Sequence, residues 1–175
     1  MRGFLRIIGV VNAAIWFGSA IFVVIGVPGI FALAAAKILS KPDAGLAAQS
    51  VLARFFILQY GCAAIALGHF FADRFLLGRP ARRSTLGLLI ALSSLVLLGG
   101  FWLQPKLRNL HHTKYWGTVP AEQNQAAQSF GLWHGVSQIG NLLVIGGLFL
   151  YFVRVTDPKE SERFGSFRQF GKFRS

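Results

Sequence analysis

The sequence has few acidic residues and little charge of either sign. Asp and Glu number six among 175 residues, and all charged residues together make up 14% of the chain, against roughly 25% in an ordinary soluble domain. Hydrophobic residues make up 54%. A soluble domain of this size could not hide so much apolar surface, because its surface-to-volume ratio is too high. The composition argues against a soluble globular enzyme and against a disordered chain.

The chain also lacks the side-chain patterns of common catalytic and metal sites. No acidic residue falls in the middle of an apolar run, which argues against a carboxylate-driven proton or cation pump. The single cysteine, Cys62, can form neither an internal disulfide nor a cysteine-based zinc site. A phosphate loop, a nucleophile elbow and a dinucleotide fingerprint are also missing. We therefore predict no catalytic residues and favour a non-enzyme.

Long apolar runs dominate what is present, at about residues 7–36, 51–72, 86–103 and 130–153. A membrane-spanning helix needs about 20 such residues. The first run is roughly twice as long as a secretory h-region, so we interpret it as an uncleaved span. The runs predict an all-α membrane protein, a four-helix transmembrane bundle over residues 1–155 with a basic aromatic tail over residues 156–175.

The segments between the runs predict two different connections. Ser40, Lys41, Pro42, Asp43 and Gly45 are typical of a loop. Residues 104–129 are too polar to span, but leucines at 103, 107 and 110 keep a helical spacing. A reversal follows at residues 117–120, where the proline suits the first turn of a new helix. Helices 3 and 4 should therefore extend outside the bilayer as a hairpin of roughly 15–20 Å.

The basic residues are distributed unevenly around the four spans. The formal net charge is +12. With both termini on one side of the membrane, twelve Lys and Arg residues fall on that side and six on the other. The richer side faces the cytoplasm by the positive-inside rule. We expect a plasma (inner) membrane protein with both termini cytoplasmic, in contact with the lipid bilayer and possessing no nucleic-acid partner.

Polar side chains inside the spans are the candidate sites, because hydrocarbon offers them no hydrogen-bond partners. In the fourth span His134, Ser137 and Asn141 share one helical face, beside the small pair Gly131 and Gly135. In the first two spans the corresponding residues are Asn12, Ser19 and Gln59. These side chains either bond helix to helix or line a pathway for a ligand or proton. We favour helix-to-helix bonds for Asn12, Gln59, Ser137 and Asn141. For His134 the two interpretations stay open, and we expect the fourth-span face to point into the bundle.

The four histidines raise the possibility of a haem or a metal ion. His69 lies near the cytoplasmic end of its span and His134 near the outer end, so they are on the order of 20 Å apart along the membrane normal. His111 and His112 are adjacent and point about 100° apart on a helix, which prevents joint chelation. We predict no cofactor, and keep a haem or copper site at His134, with His111 as a second weak candidate, as the alternative.

The tail contains a six-residue near-repeat in which phenylalanine recurs every three residues. The residues concerned are Arg163, Phe164, Phe167, Arg168, Phe170, Lys172, Phe173 and Arg174. Free disorder is one expectation, since so short a segment cannot build a core. Aromatic rings with interspersed cations also suit an anionic membrane surface. We expect the tail to bind anionic lipids of the cytoplasmic leaflet.

Several stretches together resemble a known family. They are Phe130-Gly-Leu-Trp-His134-Gly135-Val-Ser137-Gln-Ile-Gly-Asn141, then Trp16-Phe17-Gly18-Ser19 with Val27-Pro28, and Pro105-Lys106-Leu107-Arg108 followed by His111. The pattern, from about residue 9 to 154, resembles the transmembrane protein 205-like family of small four-span proteins, whose biochemical role is largely undefined. It is more distantly similar to the copper resistance protein D and membrane protoporphyrinogen oxidase families. We do not expect the haem chemistry of the latter family here, because no two histidines inside the spans lie at the same depth in the membrane.

These observations favour one function and leave a second open. We expect a non-catalytic integral membrane protein that acts by packing, as an accessory or interaction subunit that contacts other membrane proteins. The alternative is a haem- or copper-associated redox or transport protein.

Overall fold

The computed structural model describes residues 2–76 and 83–157, and the side chains of residues 2, 3 and 76 are left out of the description. These residues form five α-helices and one π-helical segment. In chain order they are α1 (Arg2–Ala35), α2 (Lys41–Leu76), α3 (Arg83–Leu98), the π segment (Gly99–Leu103), α4 (Gln104–Trp116) and α5 (Pro120–Thr156). The π segment joins α3 to α4 without a break in the helical hydrogen bonding.

Four continuous helical stretches are long and apolar enough to cross a membrane. They are Phe4–Ala35, Lys41–Phe75, Arg83–Trp116 and Pro120–Thr156. At 1.5 Å per residue their 32 to 37 residues measure about 48–55 Å, well beyond the ~30 Å of a hydrocarbon core. The prediction of an all-α four-helix membrane bundle, with the third and fourth spans extended outside it, is confirmed.

The first connection is shorter than the sequence predicts. The segment from Lys41 to Gly45 is the start of α2 and not part of a loop. The Ser40 hydroxyl caps this helix by accepting the Asp43 backbone N–H at 3.2 Å, and Pro42 needs no hydrogen-bond acceptor in the first turn. The connection is reduced to residues 36–40, where Lys37 adopts a left-handed φ of 59°. Residues typical of loops are therefore also the residues that begin a helix.

The spanning helices form a closed ring of four packed pairs. α1 packs against α2 and α5, while α3 packs against α2 and α5 on the opposite side. Small residues such as Ala13 and Ala20 on α1 and Ala66 on α2 are buried in the core, where they allow helices to approach closely. Larger residues, including Leu89, Leu92 and Leu148, fill the space between α3 and α5. Many other large apolar side chains face outward, as expected for a surface in contact with lipid.

The π segment accommodates two aromatic rings of α2. A side chain at Gly100 would overlap with the Tyr60 hydroxyl, and one at Gly99 would lie 3.0 Å from Phe56. Tyr60 in turn stacks on Phe101 with ring centroids 5.1 Å apart. The wider helical turn and its glycines thus let α2 approach the third span closely.

Candidate functional site

A buried polar cluster connects α1 to α2 in the middle of the bundle. Trp16 is completely buried, and its indole Nε1 donates a hydrogen bond to Oε1 of Gln59, which is itself only 1% exposed. Nε2 of Gln59 reaches the Ser19 hydroxyl at 3.5 Å, and that hydroxyl donates to the Trp16 carbonyl at 3.0 Å. The amide of Gln59 thus interacts with α1 through both its oxygen and its nitrogen.

Asn12 makes a second polar connection between the same two helices. Its side-chain Nδ2 donates to the backbone carbonyl of Cys62 at 3.0 Å, and both residues are buried. The three sequence-predicted residues Asn12, Ser19 and Gln59 therefore lie along one α1–α2 seam. Asn12 and Gln59 bond from one helix to the other, while Ser19 accepts from Gln59 and donates within α1.

The predicted polar face of α5 is divided by the fold. Ser137 and Asn141 are half-buried, but His134 is exposed, so the expectation that His134 points into the bundle is wrong. The interior face of α5 passes through Ala126, Val144, Leu148 and Tyr151. On a helix with 100° per residue, His134 lies about 80° from Ala126 and Val144, at the edge of that face. Ser137 is closer to its centre, and its hydroxyl donates to the His134 carbonyl at 2.6 Å.

The His134 side chain belongs to an outward-facing group on α5. Its ring stacks on Phe130 with centroids 5.8 Å apart and planes 8° apart. Its Nε2 lies 3.3 Å from Nε2 of Gln138, which is also exposed. Gly131 and Gly135 are on the same exposed surface of α5, and a side chain at either would meet no described atom within 4 Å. The small pair therefore does not serve the packing of α5 within the described part of this chain.

His111 occupies a buried position that the sequence did not indicate. It is 4% exposed, and its ring fits against Gly45, where any side chain would overlap with it. The rings of Tyr115 and Phe130 lie 4.8 and 5.9 Å away. Its Nδ1 is buried without a hydrogen-bond partner among the described residues. Loss of hydration, with Lys114 and His112 nearby, lowers the pKa of His111 below 6.5.

His69 makes a similar contact at the opposite end of α2. A side chain at Gly9 would lie 2.8 Å from the His69 ring, and the ring's Nε2 is buried with no hydrogen-bond partner in the described chain. Both histidines thus sit against a glycine of a neighbouring helix. A glycine at an otherwise unremarkable helical position is the only sequence signal that could have suggested these contacts.

An aromatic and cationic group marks one level of the third and fourth spans. The Lys106 ammonium lies 3.7 Å from the ring centroid of Trp133 and 5.0 Å from that of Trp102. The two indoles meet edge to face with centroids 5.1 Å apart. Tryptophan and lysine are enriched at membrane–water interfaces, so this group suits the level of one bilayer boundary. His111 lies about 8 Å beyond it on α4.

The residues of the predicted metal site lie within the described part of the chain, whereas those of the predicted lipid-binding tail do not. Within residues 2–76 and 83–157, no group of three or more His, Cys, Asp or Glu side chains could hold a metal ion. The ring centroids of His111 and His134 lie 5.9 and 5.8 Å from that of Phe130. The tail residues from Arg163 to Arg174 lie outside the described residues.

The fold and its buried polar seam define the class: an all-α integral membrane protein with four spanning helices. A family model, described as a domain of unknown function (DUF4149), matches residues 11–115. That match covers more than half of the chain, which therefore belongs to this family. No curated protein and no solved structure matches the chain.

Proposed function

We propose that this protein is a non-catalytic accessory or interaction subunit of the plasma (inner) membrane, with both termini in the cytoplasm. The observation that carries the proposal is the outward-facing group on α5, formed by Gly131, His134, Gly135 and Gln138. Lipid tails offer no hydrogen bonds to an imidazole or an amide, whereas a neighbouring helix does.

The depth of this group supports the proposal. Arg154 marks the inner end of α5, and His134 lies 20 residues before it, or about 30 Å along the helix. His134 is therefore close to the outer boundary, and Gln138 lies one turn deeper, within the hydrocarbon. The exposed glycines beside them would allow the backbone of a second helix to approach closely. A polar pair beside such a surface favours contact with another membrane protein.

A site-specific photo-crosslinker tests this surface in native membranes. Placed at Gln138, it should give a discrete protein adduct, while the same group at Ile90, an apolar exposed position on α3, should react with lipid. Equal protein adducts at both positions, or none at Gln138, would contradict the proposed contact face. Gln138→Leu should also reduce the co-purification of the adduct's partner.

The alternative function is a haem- or copper-associated redox or transport protein. The specific observation in its favour is the buried Nδ1 of His111, which lacks a hydrogen-bond partner among the described residues. His111 would be one ligand of the group and His134 the candidate for a second, since both rings lie within 6 Å of the Phe130 ring. An absorbance spectrum and metal analysis of the detergent-purified protein test this function. A bound chromophore or stoichiometric copper that His111→Phe removes would favour it over the accessory role.

We also propose that the protein is related to the transmembrane protein 205-like family. The run from Phe130 to Asn141 supports this relation, and it lies in α5 beyond the matched residues 11–115.

We also propose that the aromatic and basic tail binds anionic lipid. A peptide of residues 159–175 should bind anionic vesicles and dissociate as salt rises. Equal binding to neutral vesicles would show that the charge is irrelevant.

A further inference from the structure

The fold gathers one arginine from each spanning helix at the same end of the bundle. Arg6 lies near the start of α1, Arg74 near the end of α2, Arg83 at the start of α3 and Arg154 near the end of α5. Consecutive spans run in opposite directions, so these helix ends coincide. The first three arginines are exposed, and Arg154 donates from Nη1 to the Ser84 carbonyl at 3.2 Å. This bond joins α5 to α3 at the inner end.

Arg6 and Arg74 lie at nearly the same depth on adjacent helices. The register of the α1–α2 pair is set by Gly9 against His69. Arg6 is three residues further toward the inner end than Gly9, and Arg74 five residues further than His69. The two levels therefore differ by about 3 Å along the helix axes. Two guanidinium groups at one level suit a phosphate, which arginine binds through paired hydrogen bonds.

Exposed aromatic side chains accompany these arginines. Phe4 on α1 is 67% exposed, and Phe71 and Phe75 on α2 are 46% and 77% exposed. The last two rings stack with centroids 6.2 Å apart. Phe71 lies three residues, or about 4.5 Å, deeper in the bilayer than Arg74, whereas Phe4 and Phe75 lie slightly to the headgroup side of the arginines. The Phe71 ring would therefore contact the acyl chains close to the headgroup, while the arginines remain level with the headgroups. The surface thus combines the two chemistries of one amphipathic ligand.

We propose that the inner end of the α1–α2 pair is a binding site for an anionic phospholipid. Arg6 and Arg74 hold the headgroup phosphate, and Phe71 contacts the acyl chains. A free phosphate would satisfy only the first of these interactions, so the site selects a lipid. The site belongs to the helical bundle and is independent of the tail beyond residue 157.

Thermal unfolding of the full chain in a neutral detergent tests the site. Added phosphatidylglycerol should raise the Tm by about 5 °C, while phosphatidylcholine or inorganic phosphate should leave it unchanged. The variant Arg6→Gln/Arg74→Gln should lose at least half of the shift. Two variants control for charge and for the tail, namely Lys37→Gln/Arg54→Gln and Arg168→Gln/Arg174→Gln, and both should keep the full shift.

A second measurement covers the case in which the double glutamine variant fails to fold. Native mass spectrometry of the unmodified chain should show phosphatidylglycerol retained in preference to phosphatidylcholine. Arg6→Lys/Arg74→Lys, which keeps the charge but not the paired hydrogen bonds, should retain less of it. Equal retention of both lipids overturns the proposal, as does an undiminished Tm shift in the glutamine variant. Loss of the shift only in the tail variant would overturn it too.

Discussion

Glycine acts in this protein chiefly by the space it leaves for a neighbouring ring. Gly45 lies within the second turn of α2, where alanine would ordinarily favour the helix by about 1 kcal/mol. The His111 ring occupies the volume that its side chain would need. The same relation holds for Gly9 and His69 at the other end. Glycine at such positions lowers the helix propensity but allows close packing between two helices.

Gly45→Ala should destabilise the protein despite its better helix propensity. Forcing a methyl group into this contact costs about 1–3 kcal/mol, which exceeds the gain in propensity over most of that range. Chemical unfolding in detergent measures the difference. Gly18→Ala is the matched control, since Gly18 is exposed and a side chain there meets no described atom within 4 Å. The double variant Gly45→Ala/His111→Ala should recover part of the loss, and additive effects would contradict a direct clash.

The buried imidazole of His111 should make stability depend on pH. Its pKa in the folded protein is lowered below the 6.5 expected for the unfolded chain. Between these two values the unfolded state binds more protons, so stability falls as the pH drops below about 6.5 and stops falling below the folded pKa. Tm values measured from pH 7.5 to 5.0 check this. His111→Phe should flatten the decline, while His112→Phe, which removes only the last of the three causes, should keep most of it. An unchanged slope in His111→Phe would assign the effect to other groups.

At the scale of elements, the α1–α2 pair is the most polar contact inside the bundle. Small residues bring the two helices together, and Gln59 then bonds to both Trp16 and Ser19. Hydrophobic burial cannot drive this association within a membrane, because lipid is as apolar as the protein interior. Close packing and hydrogen bonds therefore determine how α1 is rotated against α2.

Gln59→Met should weaken this pair by leaving the Trp16 N–H without an acceptor. A buried donor left unsatisfied costs about 1–3 kcal/mol, although bonds formed in the membrane-inserted unfolded state reduce the loss. Unfolding in mixed detergent micelles gives the value. Gln128→Met replaces an exposed amide on α5 and should be close to neutral. Similar losses in the two variants would show that the buried hydrogen bonds are not responsible.

At the scale of the whole molecule, all four spanning helices are longer than the ~30 Å hydrocarbon core of a bilayer. The cationic and tryptophan group at Lys106 suits one boundary, and the arginines at the helix ends suit the other. Beyond the level of Lys106, α4 and the first part of α5 pack against each other, and α4 also contacts α2. His111 lies where these three helices meet, so the projecting part has an ordered interior.

The proposed orientation can be tested with a reporter that is active only outside the cytoplasm. Inserted at Gly117, in the turn between α4 and α5, the reporter should be active. Fused after Arg174 it should be silent, because the basic residues concentrate on the side of both termini. Activity at the C-terminus would contradict the four-span arrangement with cytoplasmic termini.

Sequence alone was sufficient for the features that depend on composition and length. Four apolar runs predicted four spanning helices, and leucine spacing with Pro120 predicted the helices on either side of the Gly117 turn. It was insufficient at residues 41–45, because serine, proline, aspartate and glycine begin helices as readily as they form loops. The helix start is accompanied by a local capping bond between Ser40 and Asp43 and by a tertiary contact of Gly45 with the His111 ring, and the second of these is invisible in the local sequence.

Only the tertiary structure decided which side chains face one another. In a soluble helix the apolar stripe identifies the buried face, but a spanning helix is apolar towards both lipid and protein. His134 and Ser137 share a helical face by spacing, yet one is exposed and the other half-buried. His111 lies in a polar segment, yet it is buried. The rotation of each helix depends on which helices lie beside it and on how closely they pack. Glycines, aromatic rings and hydrogen bonds that are far apart in the sequence together determine that packing.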